Sequence, residues 1–438
     1  MKEIFKKIIT YVLRIESQLV LYKYKPKIVA ITGSIGKTST KDAVYRVISQ
    51  VSYVRKSDKS YNSEIGLPLT ILGVPNGWSN PVIWFKNILK GFWLFLWPHK
   101  YPKWLVLEVG VGKPDDMRRT VSWIKTDAVI MTAIGETPAH IEFFESRKYL
   151  IEEKSNLIKT LKKGGILILN ADDEDVLAFK SKTKNQTITF GFKEGADVLG
   201  SGDSIFYGET GEPLGIIFRV DEGGKSLPII IEGVFGRNHV YATLGALALA
   251  SILKLNMLDA INSLKNYDVS PGRMRLLRGI NGSLIIDDTY NSSPFACESA
   301  LKTLREVKIM GRKIAILGDM LELGKHTEEA HKNIGRIAKE NLSGEEDALM
   351  VVGPRAKAIK EGALEAGRAL AGGKNIFEFS DSREAAKFVK TFLRQNDFVL
   401  VKGSQGMRME RVVEAILFDQ KNKKKLLVRQ DDEWQKRK

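Results

Sequence analysis

A glycine-containing loop near the N-terminus has the residue types of a phosphate-binding site. It covers residues 32–40 (TGSIGKTST) and joins a short apolar strand, predicted over Lys27–Thr32, to a helical pattern that starts at Ser39. Glycines let a backbone fold around phosphate oxygens, and N–H groups at a helix start supply positive potential. Lys37 can neutralise the outer phosphates, and the Thr38 hydroxyl is a suitable magnesium ligand. The loop therefore predicts a nucleoside triphosphate site.

The loop differs at one position from the usual pattern G-x-x-x-x-G-K-[ST], because Ile31 stands where the first glycine would be. A chance GKT at a helix start is the alternative, and the strand before it and the helix after it make that alternative the weaker one. The residues predicted to contact the nucleotide here are Gly33, Ser34, Ile35, Gly36, Lys37, Thr38 and Ser39.

Alternating strands and helices must hold this loop in place. Apolar runs recur along the chain with helical patterns between them, one of which covers 148–161. Such alternation is typical of a parallel α/β sheet. Residues 197–235 differ, because short runs between turns predict a small antiparallel excursion, which a helix over 239–253 follows. The other strands predicted in this first unit are 104–109, 127–132, 166–170 and 187–190.

The 438 residues are enough for two or three domains. We expect an α/β protein in which a phosphate-loop, parallel-sheet central ATPase domain is followed by a Rossmann-like α/β C-terminal domain. The second unit is predicted to have strands at 283–287, 313–317, 348–352, 376–379 and 398–401. The predicted segments are a basic amphipathic helix over 1–26, the central domain over 27–270, the C-terminal domain over 271–420 and a disordered charged tail over 421–438.

The net charge of +16 is concentrated at the ends of the chain, because residues 1–27 and 421–438 carry +5 each. The middle is only mildly basic, so no nucleic-acid-binding face is expected. The basic ends are interpreted either as solvated tails or as contacts to an anionic membrane. The single cysteine, Cys297, excludes an internal disulfide and fits a reducing, cytoplasmic location. It is expected to be a small core residue.

Two segments have the composition of a membrane-interface element. Residues 78–104 hold five of the seven tryptophans with four lysines among them. The favoured interpretation is an aromatic helix packed on its own domain, and peripheral contact with the inner face of an anionic membrane is the alternative. No signal peptide and no transmembrane helix are predicted. The residues predicted to form one apolar face of the N-terminal helix are Phe5, Ile8, Ile9, Val12, Ile15, Leu19 and Tyr22.

Eight further stretches, taken together with the loop, resemble the Mur ligase family. In chain order they are 62–68 (NSEIGLP), 108–110 (EVG), 139–142 (AHIE), 153–154 (EK), 271–274 (PGRM), 287–294 (DDTYNSSP), 317–324 (LGDMLELG) and 401–404 (VKGS). The match runs from about residue 27 to 418. The last three stretches resemble the family member that adds D-alanyl-D-alanine to a peptidoglycan precursor peptide.

The resemblance implies that ATP phosphorylates a carboxylate to an acyl phosphate, which an amine then attacks. Two Mg²⁺ ions are expected to neutralise the charge that develops. Thr38 and Glu108 are predicted to hold one ion. The resemblance implies that His140 holds the second, together with a Lys154 that CO₂ has converted to a carbamate. The predicted catalytic residues are Lys37, His140, Lys154 and Arg273.

The resemblance also assigns binding roles outside the loop. Asn238, His239, Arg273 and Asp288 are expected to contact ATP, with Asp288 at the ribose. The chain is expected to act as a monomer on a peptidoglycan precursor peptide and D-alanyl-D-alanine or a similar amine. The residues expected to contact these substrates are Asn62, Ser63, Asn291, Ser293, Lys402 and Ser404.

Three features depart from the family pattern. About 26 residues precede the first strand, which is too few for the separate UDP-sugar domain that is usual in the family. Residues 236–242 (GRNHVYA) reverse the usual His-Asn order and end in Ala242 where an adenine-contacting asparagine is usual. The loop before His140 is two residues longer than in relatives and carries Ala133 in place of an asparagine.

Two other functions compete with a peptidoglycan ligase. A folate-type polyglutamate ligase also lacks the UDP-sugar domain, but the stretches DDTYNSSP and LGDMLELG argue against it. A nucleotide-binding, membrane-associated scaffold without catalysis would not need the full set of charged residues. Retention of Lys37, Glu108, His140, Lys154 and Arg273 together therefore favours an active enzyme.

Overall fold

The computed structural model describes residues 2–57, 61–135, 141–265, 267–366 and 375–436. Its larger sheet has nine strands in the order β2-β3-β1-β4-β5-β6-β7-β8-β9. In chain order these are β1 (Lys27–Thr32), β2 (Val54–Lys56), β3 (Trp104–Glu108), β4 (Thr126–Met131), β5 (Leu161–Asn170), β6 (Gln186–Gly191), β7 (Val198–Tyr207), β8 (Pro213–Glu222) and β9 (Lys225–Glu232). Strands β2 to β7 run parallel, whereas β7, β8 and β9 pair antiparallel.

Helices cover both faces of this sheet, so the two alternating sets of side chains on β1 enter different cores. Val29 and Ile31 pack with α2 (Lys37–Ser49), α8 (Arg237–Ile252) and α9 (Met257–Leu264). Ile28 and Ala30 belong to the opposite core. That core is covered by α1 (Lys2–Tyr24), α3 (Gly66–Leu72), α4 (Pro81–Leu96), α5 (Asp116–Val121), α6 (Arg147–Ser155) and α7 (Glu174–Leu177).

The C-terminal unit has a six-stranded sheet in the order β10-β11-β15-β12-β13-β14. Its strands are β10 (Arg275–Arg278), β11 (Leu284–Asp288), β12 (Lys313–Gly318), β13 (Ala348–Val352), β14 (Ile376–Phe379) and β15 (Phe398–Lys402). Only β10 pairs antiparallel; the other strands of this sheet are parallel. Its helices are α10 (Pro294–Glu306), α11 (Thr327–Asn341), α12 (Lys357–Glu365), α13 (Ser382–Phe392), α14 (Glu410–Ile416), α15 (Lys423–Leu426) and α16 (Asp432–Gln435).

The predicted α/β class and the parallel sheets are confirmed, whereas some boundaries were wrong. The helix predicted over 148–161 ends as α6 at Ser155 and is followed by a 3₁₀ turn, Asn156–Thr160. Strand β5 begins at Leu161, five residues before the predicted start, because its first half is exposed and carries no apolar signal. The predicted antiparallel excursion exists, but β7 joins it to the same sheet rather than to a separate one.

The predicted disorder beyond residue 420 is wrong for the residues described up to 436. Arg429 is buried, and its Nη1 donates to Glu410 Oε2 at 2.9 Å and to the carbonyl of Thr289 at 3.0 Å. Leu427 is buried as well. The charged composition suggested a solvated tail. The contacts of Arg429 instead neutralise its charge within the C-terminal domain, and composition does not reveal such pairing.

The residues predicted to form one apolar face of the N-terminal helix lie mainly on its outer side. Of the seven, Phe5, Ile8, Ile15 and Tyr22 are exposed, whereas Ile9 is buried. The face that packs on the domain is formed by Ile9, Leu13, Glu16, Ser17 and Val20. Helix α1 therefore has apolar side chains on two faces, and the sequence pattern identified the outer one. In the described ranges, every helix is too short or too polar to span a bilayer.

A carboxyl group is buried where α1 and α4 touch. A Cβ on Gly91 would lie 2.1 Å from Glu16 Oε2, so the helices approach closely only because residue 91 is glycine. Neither carboxyl oxygen of Glu16 has a hydrogen-bond partner among the described residues. Burial raises the pKa of Glu16 to about 8, so this carboxyl is protonated at neutral pH.

We expect Glu16→Gln to stabilise the protein, with a gain that grows as the pH rises from about 5 to 8. The unfolded carboxyl ionises near its ordinary pKa, whereas the folded one keeps its proton to about pH 8. Ionisation therefore favours unfolding throughout this interval. Thermal unfolding across this pH range checks the expectation, with Glu340→Gln at an exposed position of α11 as the control. A gain that does not grow with pH would contradict it.

Candidate nucleotide site

The phosphate loop is held between the ends of two strands. Gly33 and Gly36 adopt positive φ angles of 149° and 82°. A Cβ on Gly33 would lie 1.9 Å from Thr132 Oγ1, so no other residue fits between β1 and β4 without a shift. Thr132 Oγ1 donates to the carbonyl of Ile35 at 2.6 Å, and the amide of Ser34 donates to the carbonyl of Ala133 at 2.7 Å. The end of β4 thus fixes the shape of the loop.

A buried hydrogen-bond network joins the loop to the end of β3. Thr38 Oγ1 donates to Glu108 Oε2 at 3.0 Å, and Asn62 Nδ2 donates to Glu108 Oε1 at 3.1 Å. Lys41 Nζ lies 3.9 Å from Glu108 Oε2 and 3.7 Å from Asp42 Oδ1. Since the carboxyl ends of parallel strands meet at one edge of the sheet, a loop after β1 and a carboxylate ending β3 become neighbours.

Two lysines point at the same carbonyl of the loop. Lys37 Nζ donates to the carbonyl of Gly33 at 2.9 Å, and Lys154 Nζ, from α6, donates to it at 3.2 Å. Burial lowers the pKa of Lys37 to about 8; Glu108 opposes this shift and Arg273 adds to it. Burial and the neighbouring Lys37 hold the pKa of Lys154 well below its usual range. A bound polyanion would relieve the repulsion among these cations.

Arg273 reaches the loop from the start of the C-terminal unit. Its Nη2 donates to Thr38 Oγ1 at 3.1 Å, and its guanidinium lies 3.8 Å from the centroid of the Tyr290 ring. The carbonyl of Arg273 lies 2.8 Å from His239 Nε2, and His239 Nδ1 lies 3.0 Å from the hydroxyl of Tyr267. Both ring nitrogens of His239 therefore have partners within the protein, one of which is the carbonyl of Arg273. The predicted contact of His239 with ATP stays a prediction.

The C-terminal unit supplies the other wall of this site. Lys402 Nζ donates to Asp288 Oδ2 at 2.6 Å and to the carbonyl of Asn291 at 3.0 Å. Ser404 Oγ accepts from the amide of Leu321, and its predicted substrate contact stays a prediction. One cavity is lined by Ser34, Ile35, Gly36, Thr38, Ser39, Asn238, His239, Arg273, Asp288, Asn291, Ser293 and Lys402.

A second, larger cavity of about 650 Å³ lies beside the first. Ser63 lines it on the central domain, and Asn62, the residue before Ser63, bonds Glu108. Tyr290, which stacks on Arg273, lines it from the C-terminal domain, and Trp434 of the C-terminal segment lines it too. The contact between Arg273 and Tyr290 thus links the walls of the two cavities.

Three buried side-chain atoms that line the first cavity lack a hydrogen-bond partner among the described residues: Ser34 Oγ, Arg273 Nε and Ser292 Oγ. Unsatisfied buried polar atoms are costly and rare in folded proteins. All three can donate a hydrogen bond and Arg273 is cationic, so they fit an anionic ligand such as a triphosphate. His140 lies outside the described residues, and its predicted role stays a prediction.

Magnesium chemistry suits the same corner. The Thr38 hydroxyl and the Glu108 carboxylate are hard oxygen ligands within hydrogen-bonding distance of each other. Mg²⁺ commonly takes one or two protein oxygens and completes its shell with phosphate oxygens and water. Such a site needs no larger group of protein ligands. In the described part of the chain, no group of three or more His, Cys, Asp or Glu residues that could hold a metal is found.

Sequence reasoning missed two groups at this site. Lys41 follows the loop in the sequence, but its buried position beside Glu108 and Asp42 was not foreseen. Asp42 accepts from Lys56 Nζ at 2.6 Å and from Ser270 Oγ at 2.7 Å, which ties the domain junction to α2. A buried lysine and aspartate side by side in a helix that is otherwise apolar on that face was the available signal.

Two family models match the chain. Residues 31–250 match the Mur ligase middle domain, and residues 272–405 match the Mur ligase, glutamate ligase domain. The second match begins at residue 272, one residue before Arg273.

Full-length relatives agree with this match. The UDP-N-acetylmuramoyl-tripeptide–D-alanyl-D-alanine ligase of Bacillus subtilis is 27% identical over 89% of this chain and 76% of its own. The crystal structure of MurF ligase from Thermotoga maritima in complex with ADP has a TM-score of 0.74 at 26% identity and covers 93% of this chain and 83% of its own. A folylpolyglutamate synthase from Mycobacterium tuberculosis shares the fold, with a TM-score of 0.63 at 13% identity over 90% of this chain and 93% of its own.

We expect Arg273→Met to weaken binding of Mg·ATP by about 10- to 100-fold, because it removes a charged donor aimed at the phosphate loop. Calorimetric titration measures this affinity. Arg275→Met, two residues along on β10, is the matched control and should change it little. Equal affinities of the Arg273 variant and the native chain would remove Arg273 from the nucleotide site.

Proposed function

The chain belongs to the Mur ligase family and is an ATP-dependent ligase, and on that premise we propose that it couples D-alanyl-D-alanine to a UDP-N-acetylmuramoyl tripeptide. The resemblance found in the sequence is thereby confirmed. The observation that carries the proposal is the convergence of Lys37, Thr38, Glu108 and Arg273 on one corner of the sheet, with an adjoining cavity.

The reaction must replace a poor leaving group. A carboxylate oxygen of the acceptor peptide attacks the γ-phosphorus of ATP, which gives an acyl phosphate and ADP. The amine of the dipeptide then attacks the acyl carbon, forming the amide bond with release of phosphate and a proton. Positioning and charge neutralisation supply most of the catalysis in such phosphoryl transfers.

The residues of this chain divide that work between them. Lys37 and Arg273 neutralise the γ-phosphate from two domains, so the charge cluster is complete only when the domains are together. Thr38 and Glu108 would hold Mg²⁺, which would supply positive charge to neutralise the phosphates. Asp288, fixed by Lys402, contacts the ribose. Asn238, which lines the first cavity, is left to contact the base.

The larger cavity is the proposed place of the acceptor carboxylate and the amine. Tyr290 in its wall stacks on Arg273 of the nucleotide site, and on the basis of this contact we place the acceptor carboxylate within reach of the γ-phosphate. Its wall includes Lys424, whose charge suits a carboxylate of a peptide. The folded C-terminal segment thus forms part of the substrate site under this proposal.

We propose that CO₂ modifies Lys154 to a carbamate that serves a second magnesium ion, with His140 as its partner. An amine adds to CO₂ only when neutral, giving a carbamate and a proton. Burial supports this, because Lys154 is 3% exposed and lies beside Lys37, an arrangement that disfavours a second ammonium. A carbamate would replace the repulsion between two cations by an attraction.

We expect the native chain incubated with ¹³C-labelled bicarbonate to show a carbamate carbon signal by NMR, and Lys154→Arg to lack it. Lys159→Arg, an exposed lysine on the same stretch, is the control and should keep the signal. We also expect Lys154→Ala to cut turnover by about a hundredfold or more, with no rescue by excess bicarbonate. A native chain without the signal, or a fully active Lys154→Ala, would exclude the modification from the mechanism.

We expect phosphate release from ATP to require both the UDP-N-acetylmuramoyl tripeptide and D-alanyl-D-alanine, since the second step needs the amine. A coupled phosphate assay with each substrate omitted in turn tests this, and Glu108→Gln should abolish the release. Release with a folate and glutamate instead would favour the polyglutamate ligase. If no pair of substrates gives phosphate release, a non-catalytic scaffold would be favoured.

A further inference from the structure

Helices α1 and α4 expose apolar side chains on the faces turned away from the protein. Among the described residues, 23 large hydrophobic side chains are exposed, and six lie on α1 and six on α4. These two helices therefore hold about half of the exposed apolar side chains on a small fraction of the chain. Surface concentrations of this kind mark sites of interaction.

The exposed residues form stripes at helical spacing. On α4 they recur every three or four residues, while Trp84, Gly91 and Leu94 on the opposite face are buried. A helix that is apolar on both faces is expected inside a large core or at a membrane. The exposed residues are Ile4, Phe5, Ile8, Tyr11, Ile15 and Tyr22 on α1, and Val82, Phe85, Leu89, Phe92, Trp93 and Leu96 on α4.

The two helices are fixed to each other and to the domain. Glu16 packs against Gly91, and Lys23 Nζ donates to the carbonyls of Phe95 and Trp97, both at 2.6 Å. These contacts run in the same direction along both helices, so α1 and α4 lie side by side and roughly parallel. The buried sides of both belong to the core that covers β1. The stripes are therefore carried by a rigid support.

On α1 and over residues 78–104, the exposed charged side chains that the structure describes are all basic. Residues 78–104 contain four lysines and no Asp or Glu, and α1 exposes Lys6 and Lys7. Glu16, which lies where α1 and α4 touch, is buried and adds no charge to the surface. Trp93 and Trp97 stack with centroids 4.2 Å apart and are about half exposed. Tryptophan and lysine beside an apolar stripe is the composition that settles at the headgroup level of a bilayer.

We propose that the outer faces of α1 and α4 form one docking surface for an anionic phospholipid bilayer, with the apolar stripes among the acyl chains and the lysines at the headgroups. A second copy of this chain fits less well, because face-to-face pairing would bring the lysines of both copies together. The surface is separate from the nucleotide site, so it operates whether or not the proposed reaction is correct.

Vesicle flotation tests the proposal. The native chain should float with vesicles of equal parts phosphatidylglycerol and phosphatidylcholine and much less with phosphatidylcholine alone. The triple variant Phe85→Ser, Leu89→Ser and Phe92→Ser should bind at least about tenfold more weakly. The matched control Leu258→Ser, Leu364→Ser and Phe418→Ser removes three apolar side chains exposed elsewhere and should bind like the native chain.

The charge contribution is measured separately. Lys6→Gln, Lys7→Gln and Lys86→Gln should each weaken binding to the anionic vesicles by about fivefold, with little effect on the residual binding to neutral ones. The α4 triple variant should keep the thermal stability of the native chain, since all three side chains face outwards.

Three results would overturn the proposal. The first is a native chain that stays unbound with anionic vesicles at low salt. The second is a triple variant that floats as well as the native chain. The third is a native chain that is dimeric by light scattering while the α4 triple variant is monomeric, which would make the surface an interface between copies.

Phosphate release by the triple variant with both substrates free in solution should equal that of the native chain.

Discussion

The hydrogen bond from Thr38 to Glu108 is the contact on which the site depends. It joins the helix that follows β1 to the end of β3, and both partners are buried. Three further residues contact this pair: Asn62 and Lys41 contact Glu108, and Arg273 contacts Thr38. An isolated carboxylate at this depth would be costly, and the surrounding donors give this one its partners.

The second domain completes the charge pattern. Arg273 stands at the junction of the two family matches and reaches back to Thr38, while His239 of the central domain holds its carbonyl. Under the proposed function, the loop of the central domain binds the phosphates and Arg273 adds its positive charge from the C-terminal domain.

The sequence was sufficient for the fold class, the order of units and the proximity of loop and carboxylate. These features follow from local patterns and from the rule that parallel strands present their ends together, whereas Arg273 was assigned through the family resemblance. Charge pairing over long separations was not accessible. Arg429 with Glu410, Lys41 beside Glu108 and the two-faced α1 depend on which surfaces meet, and composition alone indicated a solvated tail and a single stripe.

The account is tested most directly by a double-mutant cycle on Mg·ATP affinity with Thr38→Val and Glu108→Gln. If both side chains hold one ion, loss of either removes most of the benefit of the other. The cycle should then give a coupling energy of about 1 kcal/mol or more. Effects that add to within about 0.5 kcal/mol would show that the two residues act separately and would contradict the shared magnesium site.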